Sequence, residues 1–268
     1  MHQEGIRANI FTVPIEIETT LIILGENPEF LMGEIASRAV IDAYRLIGKG
    51  TKVLHDTYYD TQVQYLSGQG IAVRIREKAG SVLFCIKQRE RIEDAGAAVR
   101  EELELPWSMQ CMDHVARIMQ KVPMNLNKIH FRADSPSQCL ACLGLVPIQT
   151  RETRRQAFDI SCCGKEGIIA ELALDEVCYF ISGCRILHYE IEVEAKGPSC
   201  EPGMMHLTDL IRQAYPDRLT RWDYNKLLTG FAIERLISEG MIAVQPGKAL
   251  HLSRSSYDAI DVFLKKSL

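Results

Sequence analysis

The chain has 268 residues, 47% hydrophobic and 25% charged, which excludes a disordered or collagen-like polymer and allows a sizeable core. Its net charge of −4 argues against a broad nucleic-acid-binding surface, so an anionic ligand must be met by locally gathered positive charge. No stretch approaches the roughly 20 apolar residues of a membrane span, and residues 1–14 lack a charged-then-apolar leader, so the sequence reads as cytoplasmic, with neither membrane nor nucleic acid as a partner.

Strand-like alternation dominates, beginning with residues 15–21. Asn27, Pro28 and Glu29 open a helix whose pattern runs to Leu46 or Ile47, where Gly48 and Gly50 stop it. Strands follow at 53–59, 71–78, 82–89 and 99–105, then a helix near 113–121. Ser135 and Pro136 cap a short helix over 138–143, followed by strands at 151–160, 168–177 and 187–195. Helices at 204–214, 223–239 and 257–266 complete the inventory. It is α+β, with one domain over residues 1–232 and a helical extension over 233–268.

Nine cysteines in a chain of this length suggest a reducing compartment rather than a disulfide scaffold. Cys139 and Cys142 have the spacing of a zinc half-site, with Cys162 and Cys163 as the other half. The cap at Ser135 places the first pair on a short helix, where small buried thiols are common, so the packing reading is preferred.

The informative feature is charge gathered on single strand faces. Residues i, i+2 and i+4 of a strand share a face. Glu16 and Glu18 share one, as do Arg74 and Arg76, and Cys85, Lys87 and Arg89. Arg100, Glu102 and Glu104 form another, followed by Glu171 with Asp175 and by Glu190, Glu192 and Glu194. An ordinary solvated face mixes serine, threonine, glutamine and lysine, whereas these are nearly pure carboxylate or cation. If the strands close into a barrel with apolar faces outward, the charged faces line its lumen. Facing carboxylates repel one another in a partly desolvated site and call for arginines or a divalent ion such as Mg²⁺ or Mn²⁺. The arginines and lysines in turn suit phosphate.

These residues resemble the CYTH domains, also called triphosphate tunnel metalloenzymes, which include inorganic triphosphatases, thiamine triphosphatases and class IV adenylyl cyclases. The resemblance covers about residues 14–232, with the motifs in the family's order. Glu16, Ile17, Glu18, Thr19 and Thr20 stand where the family has ExExK. Tyr58, Tyr59, Asp60 and Thr61 resemble its YYDT turn, Arg74 and Arg76 its arginine strand, Lys87 its lysine strand, and Arg100, Glu102 and Glu104 its RxExE strand. The basic run 151–158, Glu171 with Asp175, the Glu190, Glu192 and Glu194 strand, and 226–231 follow. The departures are Thr20 in place of the motif lysine and Gln62 in place of a proline after the turn.

The resemblance implies an antiparallel closed β-barrel of about eight strands, a tunnel with helices packed outside. It implies Glu16, Glu18, Glu190 and Glu192 as metal ligands for Mg²⁺ or Mn²⁺. Arg74, Arg76, Lys87, Arg100 and Lys226 are implied phosphate holders, helped by Arg154 or Arg155, with Glu16, Glu18, Arg74 and Lys226 nearest the chemistry. Glu102, Glu104, Glu171, Asp175 and Glu194 are supporting candidates. The expected activity is a divalent-metal-dependent triphosphatase acting on a triphosphate-containing small molecule, with tripolyphosphate favoured over thiamine or nucleoside triphosphates. A class IV-type adenylyl cyclase and a non-catalytic polyphosphate-binding module are the alternatives, since all three need the same cradle. His55 and His188 read as structural or surface residues, and Trp222 and Tyr224 as packing.

Overall fold

Alternating apolar and charged strands have a low-energy solution when the sheet curls until its two edges pair. The computed structural model, which describes residues 14–93, 96–108, 111, 135–164 and 166–267, shows that closure. The strands are β1 (Ile15–Ile23), β2 (Val40–Ile41), β3 (Tyr44–Asp60), β4 (Ala72–Lys78), β5 (Ser81–Ile92), β6 (Ala98–Pro106), β7 (Val146–Cys162), β8 (Ile168–Ile181), β9 (Cys184–Ala195), β10 (Leu219–Arg221) and β11 (Ala249–His251). Eight of them form an antiparallel ring in the order β1, β6, β5, β4, β3, β7, β8, β9, closed where β9 returns to β1. Glu18 then lies opposite Glu194, and Thr20 opposite Glu192. The short strands β2, β10 and β11 attach to β3, β1 and β9.

The helices are α1 (Pro28–Ala36), α2 (Tyr65–Gly68), α3 (Pro136–Cys142), α4 (Glu201–Ala214), α5 (Lys226–Ser238) and α6 (Arg254–Ser267). They cover the outer apolar faces. Leu31 and Ile35 of α1 and Met204, Leu207 and Ile211 of α4 pack on Ile17, Leu172, Leu174 and Ile191. Leu66 of α2 and Cys139 and Leu140 of α3 pack on Val73, Ile75, Phe84 and Ile86. At one end of the barrel Ile22, Val177, Tyr179 and Ile186 meet Ala232 and Ile233 of α5 and Tyr257 and Ile260 of α6. No helix among the described residues is long and apolar enough to cross a membrane.

Two sequence expectations change. The helix opened by Pro28 ends at Ala36 rather than near Leu46, its carbonyls at Gly33 and Ile35 accepting from the Ser37 N–H. Residues 44–60 instead form β3, paired with β7 along nearly its whole length, and the two glycines read as a stop straddle a register shift within that pairing. Ladder bonds to a partner a hundred residues away outweigh local helical periodicity. The helix expected at 113–121 lies outside the described residues.

The turn after β3 is fixed by one buried carboxylate. Asp60 Oδ1 accepts from the N–H of Thr61 (2.6 Å) and Leu66 (2.8 Å), and Oδ2 from the N–H and hydroxyl of Ser67 (2.8 and 2.7 Å). Asp60 is fully buried, so its role is to hold the chain that leads into β4. Replacing it strands several backbone donors, each costing about 1–3 kcal/mol when unsatisfied. Asp60→Ala is expected to lower unfolding free energy by about 3 kcal/mol in urea titrations, given partial recovery by water.

Candidate active site

Alternation carries the charged faces into a lumen of about 670 Å³, lined by Glu16, Glu18, Arg74, Arg76, Lys87, Arg100, Glu102, Glu104, Arg155, Glu171, Glu190, Glu192, Glu194 and Lys226 among others. Of the predicted site residues, Asp175 touches this cluster from β8 and is fully buried, while Arg154 points away from it and is exposed. The choice between Arg154 and Arg155 therefore falls on Arg155, whose parity matches Arg151 and Thr153.

Three nests of charge occupy the lumen. In the first, Arg76 makes a two-pronged contact with Asp56 (Nε to Oδ1 2.8 Å, Nη2 to Oδ2 3.0 Å), with Arg74 and Arg151 at 3.5 and 3.3 Å from Oδ2. Burial pushes the Asp56 carboxyl up, but the three guanidinium groups override it and hold it far below the usual carboxylate range. Arg151 also donates to the Tyr58 hydroxyl at 2.6 Å and lies over its ring at 4.8 Å.

The second nest is centred on Arg100 and Lys87. Arg100 reaches Glu16 (2.6 Å), Glu18 (2.6 Å) and Glu90 (3.1 Å), and Lys87 lies between Glu16 (3.0 Å) and Glu102 (2.9 Å). Glu104 sits farther out, 3.9 Å from Arg74 and 3.8 Å from Arg76, and Glu171 is held at the rim by Lys49.

In the third, Asp175, Glu190 and Glu192 bring one carboxylate oxygen each within 4.8 Å of one another. Arg155 grips Asp175 through Nε and Nη2 (2.8 and 2.5 Å) and also contacts Glu192; Lys226 contacts Asp175 (3.1 Å), Glu190 and Glu192. Burial, opposed by Arg155 but assisted by Glu18 and Asp175, raises the Glu192 carboxyl well above its ordinary value. Burial, together with Arg155 and Arg151, lowers the Lys226 ammonium to about 7, against the pull of Asp175.

Local structure explains how Lys226 arrives. The Asn225 side chain caps α5 by accepting from the Leu228 N–H (3.0 Å) and donates to Glu90 (3.0 Å). Tyr179 donates to the Lys226 carbonyl and Gln149 to that of Leu227, at 2.9 and 3.2 Å. Gly230 admits this approach, since a Cβ there would lie 2.3 Å from the Gln149 amide nitrogen. Thr20, where the motif lysine was expected, faces the lumen opposite Glu192, so the ammonium at that carboxylate comes from α5 instead of β1.

Sequence reasoning missed Asp56, Arg151, Glu90, Lys52 and Lys78. The first two share the lumen face of residues already singled out, so extending the alternation two positions before Tyr58 and four before Arg155 finds them. Glu90 lies at the irregularity between Gln88 and Arg91, where parity fails. Lys52 and Lys78 line the cavity with no carboxylate within 4 Å among the described residues. His55 is exposed and faces Glu152, and His188 is fully buried. Trp222 is core, donating to Thr229 at 2.9 Å; Tyr224 donates to Asp261. Cys139 is buried under β4 and β5, and Cys142 is exposed.

Glu194 offers a test of this electrostatic picture. Burial and repulsion from Glu16 and Glu18 push its carboxyl up to about 7, against the pull of Lys196. Between its ordinary value and 7 the folded chain keeps a proton that the unfolded chain has released, so this group weakens the fold as pH rises through 7. Glu194→Gln is expected to raise the thermal midpoint at pH 8 by about 2–4 °C, discounting for its partial exposure, and to change little at pH 5.

The family model of the CYTH domain matches residues 30–218. No curated protein matches the sequence. Among solved structures, a candidate adenylyl cyclase from Hippeastrum, described as having a dominant triphosphatase activity, is 21% identical, with a TM-score of 0.51 over 82% of this chain and 95% of that one. A candidate adenylate cyclase from Bacillus halodurans is 23% identical (TM-score 0.46, 79% of this chain and 95% of that one). The S. pombe RNA triphosphatase Pct1 is 13% identical (TM-score 0.37, 76% and 82%). At these identities the likeness to the first is one of fold, and that fold is the barrel whose lumen carries the three nests. With the family match spanning most of the barrel, the chain belongs to the CYTH domain family.

Proposed function

We propose that the chain is a divalent-metal-dependent triphosphatase, with inorganic tripolyphosphate as its favoured substrate. The observation that carries this reading is the meeting, in one lumen, of guanidinium and ammonium groups with a cluster of three carboxylates. Phosphoryl transfer asks little covalent chemistry of a protein; it needs charge on the transferring group offset and the reacting atoms held in line.

In this reading Arg74, Arg76, Lys87, Arg100, Arg155 and Lys226 grip phosphate oxygens, the guanidinium groups two oxygens at a time. Arg151 and Asp56 keep Arg74 and Arg76 extended across the lumen. The donor set fits Mg²⁺ or Mn²⁺: Asp175, Glu190 and Glu192 offer only hard oxygens, and the raised Glu192 carboxyl marks a cluster short of positive charge. Glu16 and Glu18, already engaged by Arg100, complete the acidic wall. When bound, such an ion offsets charge on the phosphate oxygens. Glu102, Glu104, Glu171 and Glu194 orient the cations around them.

A nucleoside or thiamine triphosphate is the second reading, favoured by the apolar wall that Ile71, Leu228 and Phe231 add to the cavity. The test incubates the purified chain with tripolyphosphate, ATP and thiamine triphosphate, each with Mg²⁺ or Mn²⁺, and measures orthophosphate, pyrophosphate and cyclic AMP. Orthophosphate from tripolyphosphate, abolished by a chelator, is expected. Cyclic AMP with pyrophosphate makes the chain a cyclase, and tight binding without product makes it a binding module. Lys87→Met is expected to lower kcat/KM by about 10²–10³-fold, the usual cost of removing one charge-stabilising group, with an unchanged circular dichroism spectrum.

A further inference from the structure

The carboxylate cluster is tied to a stretch of chain that the family match does not reach. Beyond α5, β11 runs parallel along β9, with Ala249 opposite Arg185 and His251 opposite Leu187. The Leu252 N–H continues the pairing to the Leu187 carbonyl at 3.2 Å. α6 then packs Tyr257, Ile260 and Leu264 among Tyr179, Ile186, Trp222 and Ile233. This lays the Tyr257 ring edge-on to Trp222, with centroids 5.8 Å apart, and brings its hydroxyl to 2.9 Å from His188 Nδ1. His188 Nε2 is in turn 2.7 Å from Glu190 Oε2, while the other Glu190 oxygen faces Lys226. Tyr257, His188 and Glu190 are all buried.

A neutral His188 ring satisfies this chain in one tautomer. The Glu190 carboxylate accepts and cannot donate, so His188 Nε2 carries the hydrogen. Nδ1 faces the Tyr257 hydroxyl, so in this neutral tautomer it is the acceptor of that pair. The Tyr257 O–H, 2.9 Å away, is the donor placed to satisfy it. Remove that donor and either a buried lone pair goes unpaired or the ring takes its other tautomer, turning a lone pair against Glu190.

We propose that Tyr257, acting through His188, is a positioning residue for the metal-binding carboxylates: it fixes the His188 tautomer, which holds one oxygen of Glu190 and leaves the other facing Lys226 within the carboxylate cluster. The inference rests on the metal-dependent reading above. It assigns the segment after α5 a share in building the site. Outer partners of this kind typically govern metal affinity by 10–100-fold.

The test is Mn²⁺ binding to the full chain without any triphosphate, read by calorimetry and by free-ion electron paramagnetic resonance. Wild type is expected to bind saturably, and Tyr257→Phe, which keeps the packed ring, about tenfold or more weakly at an unchanged far-ultraviolet spectrum. His188→Gln retains an amide donor for Glu190 but breaks the link to Tyr257, so adding Tyr257→Phe to it is expected to weaken binding no further. Tyr257→Phe binding as tightly as wild type overturns the inference alone. Absence of Mn²⁺ binding by wild type overturns the metal-dependent reading and the inference together. Should Tyr257→Phe lose its helical spectrum, His188→Gln decides: wild-type affinity in that variant overturns the inference.

Discussion

Opposite charges that neutralise one another while many of them are buried are the constraint on which this structure depends. A buried carboxylate or guanidinium without a partner costs several kcal/mol, so inward-facing charge is tolerable only where both signs arrive together. The barrel meets that condition by bringing Lys87 of β5 and Arg100 of β6 against Glu16 and Glu18 of β1, and Arg155 of β7 against Asp175 of β8 and Glu192 of β9. None of these pairs is local in sequence: Glu16 meets Lys87 and Arg100, and Arg155 meets Glu192.

The same arrangement stores readiness for a ligand. Each cation in the nests is held by carboxylates at the strength of an internal ion pair, with Arg74, Arg151 and Asp56 preorganised before any anion enters. In the function proposed above, a polyphosphate would offer these groups more negative oxygens than the carboxylates do, and a divalent ion would offer the carboxylates more charge than Lys226 does. Preorganisation keeps the reorganisation cost of such an exchange low.

How much was legible in the sequence follows from this physics. Period-2 alternation of pure carboxylate and pure cation faces exposed Glu16, Arg74, Lys87, Glu190 and their neighbours, because a strand has only two faces and an apolar outer one leaves the charges inside. Where alternation breaks, the reading broke too: Glu90 sits at the irregular stretch of β5. Residues 37–47 look helical in isolation, but Val40 and Ile41 pair locally with the start of β3, and the distant pairing of β3 with β7 makes residues 44–47 strand. Lys226 was found through its resemblance to a motif, but its place at the start of α5, aimed into the carboxylates, depends on the Asn225 cap and the Gly230 approach. The link from Tyr257 to Glu190 had no sequence signal, since nothing in a lone tyrosine near the end announces a buried histidine on a central strand.

The seam between β1 and β9 has a consequence for how the molecule is made. β1 is made before its partners on either side, β6 and β9, which lie about eighty and one hundred and seventy residues downstream, with β10 later still. Until β9 emerges, both margins of the growing sheet offer unpaired amide and carbonyl groups, and the greasy outer side of β1 has no cover from α4. Assembly of so many distant pairings is slow by nature, and edges left open in that interval are the places where other chains can pair.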